Sequence, residues 1–252
     1  MPSALPPEYT DAGAYAGGEF GARRVLDASG TAYVYKREPP GLAPATTEAL
    51  RAVGYPAPRY VAYGDDWCIQ EELPGSPLGD WGAPLPPRLL ELNELQAGRA
   101  VDDDASWPAA AVGWTVGGHG DYMFVEALNA HSPGGRKLVE LCRAAAEHAA
   151  ELPPSRDIVH WDFTASNVLS EGGVIDWGGT RTGDRLFDLA TWLYYSPDDG
   201  LRRYIVGRIG ERGLFVYLAH MAIRQAGWSV CNHPPEAGRA MVDYGLALFS
   251  AA

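Results

Sequence analysis

Val159-His160-Trp161-Asp162-Phe163-Thr164-Ala165-Ser166-Asn167-Val168-Leu169 is followed, after Ser170-Glu171-Gly172-Gly173, by Val174-Ile175-Asp176-Trp177. Two short apolar runs of β-branched character flank a glycine-containing tetrad, the pattern of a β-hairpin. With the turn centred between Glu171 and Gly172, Asn167 and Asp176 fall opposite each other at its open end. Cross-strand neighbours have Cβ atoms about 4.5–5.5 Å apart, so an amide oxygen and a carboxylate there can share one hard cation. Mg²⁺ commonly takes only one or two oxygen ligands from protein and keeps other positions for water and phosphate. Asp162 precedes Asn167 in the loop entering the hairpin, within reach of the same ion or of a substrate. Single Asp and Asn residues near turns are common because they bond their own backbone. An Asp, an Asn, a hairpin and a second Asp in this order point instead to a site.

Upstream, Tyr15 to Lys36 reads as strand, turn, strand. Gly17, Gly18 and Gly21 form a glycine loop at its front, where backbone N–H groups can approach phosphates. Glycine turns are frequent, and the loop alone carries little. Thr31-Ala32-Tyr33-Val34-Tyr35-Lys36 alternates like a strand. Thr46 to Gly54 reads as a helix ended by glycine. Val61–Gly64 and Trp67–Gly75 follow. Leu89, Leu92, Leu95 and Gln96 place a helix after Pro84–Pro87, the stretch 137–152 places another, and several follow Asp184.

The segment 159–177 resembles the aminoglycoside phosphotransferase and choline kinase family, relatives of protein kinases. That family carries H-G-D-x-x-x-x-N, a short hairpin, then I-D-W or L-D-x. It continues with G-D-x-x-x-D-L-A, here Gly183-Asp184-Arg185-Leu186-Phe187-Asp188-Leu189-Ala190. The resemblance implies an α+β, protein-kinase-like bilobal fold. A small antiparallel β-sheet lobe would span residues 1–72 and bind nucleotide, and a mainly helical catalytic and acceptor lobe would span 73–252. It implies Asp162 as catalytic base, Asn167 and Asp176 as Mg²⁺ ligands, and Asp184 and Asp188 as buttresses of the catalytic loop. Lys36 would engage the α- and β-phosphates, with Glu48 as its ion-pair partner, although a first-turn Glu also suits the helix dipole. Gly17 and Gly18 would lie over the phosphates. Main-chain groups near Glu71 and Leu73 would meet the base edge, with Gln70 just before this hinge. Because main-chain atoms read the base, the sequence does not separate ATP from GTP. Two positions depart from the family: Trp161 stands where Gly is usual, and Thr164 where His is frequent. Trp161 adds bulk beside the base and either shapes acceptor choice or packs against the core.

The chain has 252 residues and a formal net charge of −12, which argues against nucleic acid or an anionic membrane as partner. A cationic acceptor suits that charge, as does a plain solvated acidic surface. Of the 20 basic Lys and Arg residues, only Lys36 and Lys137 are Lys. Cys68, Cys142 and Cys231 are widely spaced, an odd count without metal-ligand pairing that fits a reducing compartment. No apolar run is long enough to span a bilayer and Met1–Pro7 lacks a signal-peptide pattern, so the expected location is cytoplasmic. Residues 102–135 mix Asp102, Asp103, Asp104 and Asp121 with Trp107, Trp114, Tyr122 and Phe124. Such a mixture suits a polycationic or sugar-like acceptor, or an acidic loop anchored by aromatics. Asp198 and Asp199 are further acceptor candidates.

The expected activity is transfer of the γ-phosphoryl group of ATP or GTP to a hydroxyl of a cationic antibiotic. An aminoglycoside comes first and a basic cyclic peptide of the viomycin or capreomycin type second. The wording D-F-x-x-x-N-V-L and V-I-D-W also resembles hygromycin kinases. A metabolic acceptor of the choline, homoserine or sugar type is the alternative. A non-catalytic pseudokinase would lack Asp162, Asn167, Asp176 or Lys36, and all four are present. No activation segment of the protein-kinase kind is evident.

Overall fold

The computed structural model describes residues 5–15, 21–79, 82–103, 107 and 125–250. Gly17, Gly18, Asp104 and Asp121 lie outside them. The chain divides into two compact units, Met1–Asp103 with Asp157–Arg185, and Asp104–Arg156 with Leu186–Ala252.

The first unit is built on an antiparallel five-stranded sheet of order β1-β2-β3-β5-β4, with β1 Thr10–Ala14, β2 Arg23–Leu26, β3 Ala32–Lys36, β4 Tyr60–Tyr63 and β5 Cys68–Glu71. Side chains alternate between the faces of a strand. Val25, Tyr35 and Ile69 share one face and form a buried core, against which Leu5, Tyr9, Tyr33 and Trp67 pack. Val34 lies opposite Gln70 and Lys36 opposite Cys68, so these four share the other face. The helix expected from Thr46 is α1, Ala43–Arg51. It starts earlier because Pro44 sits in its first turn, where no N–H is needed. The chain leaves it through Gly54 at φ 85, the left-handed geometry that glycine adopts without strain.

α2, Pro87–Leu95, carries the amides that fix the second sheet. Asn93 Nδ2 donates to Gln96 Oε1 at 2.9 Å and to Arg185 O at 2.9 Å, and Gln96 Nε2 donates to Ile158 O at 3.0 Å. Both residues are fully buried, where each such bond replaces water that is absent. They hold β6 (Asp157–Val159), which pairs antiparallel with β7 (Arg181–Gly183). These two strands bracket the loop and hairpin described below.

The second unit is helical among its described residues: α3 Val125–His131, α4 Pro133–Ala146, α5 Leu186–Tyr195, α6 Asp199–Asn232 and α7 Pro235–Ser250. α4 is capped by Ser132, whose Oγ accepts from Gly135 N–H at 3.0 Å. The helix read over 137–152 ends at Ala146 and continues as a 3₁₀ turn, Glu147–Glu151. Phe187 and Tyr217 pack edge-on with ring centroids 5.5 Å apart. Gly210, at φ 73, interrupts α6. No helix among the described residues is long and apolar enough to cross a membrane. The antiparallel N-terminal sheet and helical C-terminal part are those of the expected α+β fold.

Candidate functional site

The hairpin forms, in a register one residue away from the expected one. Val168 and Val174 bridge antiparallel, Leu169 N–H donates to Gly173 O at 2.8 Å, and Ile175 N–H donates to Asn167 O at 2.9 Å. Asn167 therefore opposes Ile175, not Asp176. The cause is the turn: Gly172, at φ 85, folds back so that its N–H reaches Leu169 O at 2.7 Å. Asp176 follows in the left-handed region at φ 67, ψ 57, and opens the 3₁₀ turn Trp177–Gly179. The hairpin is fixed on two sides. Ser170 N–H donates to Ser76 O and Leu78 N–H to Val168 O, both at 2.8 Å, while Val174 N–H donates to Pro56 O at 3.0 Å. The Tyr55 and Trp177 rings meet edge-on at 5.5 Å.

Asp162 is partly exposed at the entry to the hairpin. Asn167 Nδ2 donates to the Asp162 carbonyl at 2.8 Å and to its carboxylate Oδ2 at 3.1 Å. Behind them lies His160, fully buried. Its Nε2 is 2.8 Å from Ile175 O and its Nδ1 is 3.3 Å from Asp162 N. A carbonyl can only accept and a backbone N–H can only donate. His160 is thus a neutral imidazole with its proton on Nε2, and it ties the backbone of Asp162 to the residue before Asp176. The Trp177 ring packs on it with centroids 4.5 Å apart.

Lys36 Nζ bonds Asp176 Oδ1 and lies 3.2 Å from Glu38 Oε1. Burial alone would raise the Asp176 carboxyl, yet the Lys36 ammonium brings it below its ordinary value. Burial would likewise lower the Lys36 ammonium, and Asp176 and Glu38 reverse this, holding it above its ordinary value. The expected pair with Glu48 does not form: Glu48 is exposed on α1, in no ion pair among the described residues. Glu38 takes that place, two residues beyond Lys36 in the bend that follows β3.

Glu71 is engaged structurally. Its N–H donates to Arg59 O at 2.8 Å, and its carboxylate accepts from Arg51 at 3.0 Å, so that N–H is not free for a base edge. Leu73 makes no main-chain hydrogen bond among the described residues, and its side chain lies against Gly173, where an added Cβ would come 3.0 Å from Leu73 Cδ1. Glu72 accepts from Arg24 Nε at 3.0 Å and from the Tyr15 hydroxyl at 2.6 Å.

Trp161 is buried at φ 78. The Arg181 guanidinium stacks over its ring at 3.6 Å, and an added Cβ at Gly179 would stand 3.2 Å from the indole. Asp102 accepts from the Thr182 hydroxyl, and Asp103 is exposed. Asp198 caps α6, its Oδ1 accepting from Leu201 N–H at 2.6 Å, and Asp199 is exposed in the first turn. A capping role accounts for Asp198 without an acceptor. Asp184 and Asp188 are both buried. Asp157, overlooked in the sequence, accepts from Gly98 N–H at 2.7 Å and Arg185 N–H at 3.3 Å. An Asp opening a short apolar run carries no signal of this kind.

The donor set fits Mg²⁺. Both hydrogens of the Asn167 amide are turned to Asp162, which leaves its Oδ1 as the outward ligand atom, and Asp176 Oδ2 makes no bond among the described residues. Two oxygen donors without nitrogen or sulfur suit a hard cation that keeps water and phosphate in its remaining positions. No cluster of three or more His, Cys, Asp or Glu side chains suited to a metal occurs among the described residues.

A sequence model of the phosphotransferase enzyme family matches residues 16–223. No curated protein sequence matches the chain. Among solved structures, a thermostable variant of aminoglycoside phosphotransferase APH(4)-Ia, in ternary complex with ADP and hygromycin B, is 17% identical with a TM-score of 0.70, covering 98% of this chain and 94% of that one. The choline kinase LicA from Streptococcus pneumoniae is 10% identical with a TM-score of 0.60, covering 98% and 95%. The macrolide 2'-phosphotransferase MphH from Brachybacterium faecium is 15% identical with a TM-score of 0.53, covering 92% and 90%. At these identities the likeness is one of fold.

Proposed function

We propose, from the premise that the chain belongs to the phosphotransferase enzyme family, that it moves the γ-phosphoryl group of ATP or GTP to a hydroxyl of a small cationic acceptor. The observation that carries this reading is the pair of contacts joining Asp162 to Asn167 and Lys36 to Asp176. They support a reading in which a base, an oxygen ligand set and a phosphate-binding cation belong to one unit. Asp162 receives the proton as the acceptor oxygen bonds to the γ-phosphorus and the bond to the β-phosphate oxygen breaks. Lys36 steadies the α- and β-phosphates, and His160 holds the backbone of the base in place. Mg²⁺ held by Asn167 and Asp176 would neutralise charge on the phosphates. Such catalysis is largely positioning and charge stabilisation.

The favoured acceptor is a cationic antibiotic, an aminoglycoside before a basic cyclic peptide of the viomycin type. The net charge of −12 supports a cationic acceptor, and the fold shared with a phosphotransferase solved with hygromycin B supports an aminoglycoside. The likeness to a choline kinase favours a second reading, a cationic amino alcohol. We assign the nucleotide to residues 1–72 and the acceptor to 73–252, and place the protein in the cytoplasm, which its unpaired cysteines support.

The test is incubation of the purified protein with MgATP or MgGTP and a panel of aminoglycosides, viomycin, choline and simple alcohols, read by mass spectrometry. The expected result is a gain of one phosphate on one cationic class. Asp162→Ala should abolish transfer while nucleotide still binds. An active Asp162→Ala enzyme would sink the base assignment, and a wild-type protein that binds nucleotide but phosphorylates nothing would favour a pseudokinase.

A further inference from the structure

We infer that Gln70 reads the 6-substituent of the purine, and that its amide turns to accept from the 6-amino group of ATP or donate to the 6-oxo group of GTP. The inference rests on the nucleotide reading above and settles which nucleotides that site takes.

Gln70 is 2% exposed, in the middle of β5. Its Oε1 is buried and makes no hydrogen bond, and none is made by Nε2 among the described residues. Asn93 Oδ1 is likewise buried without a partner, but Asn93 and Gln96 are each anchored through their nitrogen, whereas Gln70 is anchored at neither end among the described residues. A sealed, unpaired carbonyl is destabilising, and native proteins rarely keep one without a partner. Burial by itself would be better served by Leu or Met.

The register places this amide where a base belongs. Gln70 pairs with Val34 on one side and Tyr60 on the other, and Lys36 pairs with Cys68 on the same face. Gln70 is thus one same-face step, about 7 Å of strand, from the position level with the phosphate-binding lysine. A ribose spans a gap of that scale. The same strand runs on to Leu73, whose unbonded main chain offers the base a second edge. An amide presents a carbonyl acceptor at one end and two N–H donors at the other, and a half-turn exchanges them. Nothing among the described residues anchors either end of Gln70, so that half-turn breaks no hydrogen bond there. The 6-amino group of adenine is a donor and the 6-oxo group of guanine or hypoxanthine an acceptor, and one side chain can match both.

The experiment measures Kd for the Mg²⁺ complexes of ATP, ITP and purine riboside triphosphate, which carry an amino group, an oxo group and hydrogen at position 6. A neutral hydrogen bond is worth about five- to tenfold in affinity. Wild-type protein should bind ATP and ITP about five- to tenfold more tightly than the unsubstituted purine. Gln70→Met should bring all three to one affinity while the protein melts no lower than wild type. Gln70→Glu, an acceptor only when ionised, should keep the ATP advantage and lose that for ITP. Unchanged ratios in Gln70→Met, or a wild type indifferent to the 6-substituent, would overturn the inference and leave the nucleotide site standing. A wild type that binds none of the three would overturn the nucleotide reading itself.

Discussion

Replacing Trp161 by alanine and by glycine should reverse the usual order of those two residues. Trp161 lies at φ 78, where an L-residue is less stable by about 1–2 kcal/mol than in its preferred wells. The offset comes from a ring 7% exposed, stacked under the Arg181 guanidinium. Trp161→Ala loses that burial, about 3–5 kcal/mol for a buried Trp, and keeps the strained backbone. Trp161→Gly loses the same ring but relieves the strain, against about 0.5–1 kcal/mol of added chain entropy. The glycine variant should therefore be as stable as the alanine variant or better, by as much as about 1.5 kcal/mol. At an unstrained site alanine would lead by about 0.5–1 kcal/mol. Thermal unfolding of both variants by far-UV circular dichroism decides the matter. For a chain of this size 1 kcal/mol is worth about 2–4 °C, so glycine should melt up to about 3–6 °C above alanine. An alanine variant melting about 2 °C or more above the glycine variant would show that the backbone beside Asp162 is not left-handed.

The Lys36–Asp176 pair has a defined pH window. The Asp176 carboxyl is held below its ordinary 3.8, so its contribution is present above that value and lost as pH falls through the folded one. Lys36 is held above 10.5, so its contribution is present below that value and lost as pH rises through the folded one. The destabilisation caused by Lys36→Met in urea should then be constant from about pH 5 to about pH 9 and shrink below about pH 4; a dependence centred near neutrality would contradict the pairing. Of the three cysteines, burial pushes the Cys68 thiol up to about 12 and raises that of Cys142, while Cys231 is exposed. A thiol reagent at pH 8 should label Cys231 first in the native protein and all three after denaturation, and Cys68 reacting as fast as Cys231 would refute the burial.

The elements of the site were legible where a local pattern encodes them. Alternation gave β3, the family resemblance gave β5, and the tetrad Ser170–Gly173 gave the hairpin. Register was not legible, because it depends on which turn residue takes positive φ, and Gly172 rather than a symmetric turn decides it. The result moves Asp176 off the ladder and makes its left-handed backbone, not cross-strand pairing, the device that aims it. The expected partner of Lys36 came by analogy with a helix residue, whereas the bend after β3 brings Glu38 to it. Long-range amide anchors such as Gln96 on β6 and the vacant amide of Gln70 have no local signature. The same residue type in the same strand environment can be bonded or not, and only the assembled neighbours tell.

The adjacent carboxylates that close β5 bear on how this chain tolerates mutation. Glu71 is drawn to Arg51 and the Arg59 N–H, Glu72 to Arg24 and the Tyr15 hydroxyl. Each of these contacts is partly exposed and of modest strength by itself. Together they moor consecutive residues to different parts of the unit, just ahead of a Leu73 backbone that bonds nothing among the described residues. Selection at 71 and 72 would act through the path of the main chain they hold, and would spread to the arginines and tyrosine that moor it. Drift in this protein should then be slowest along such moorings and faster at side chain 73.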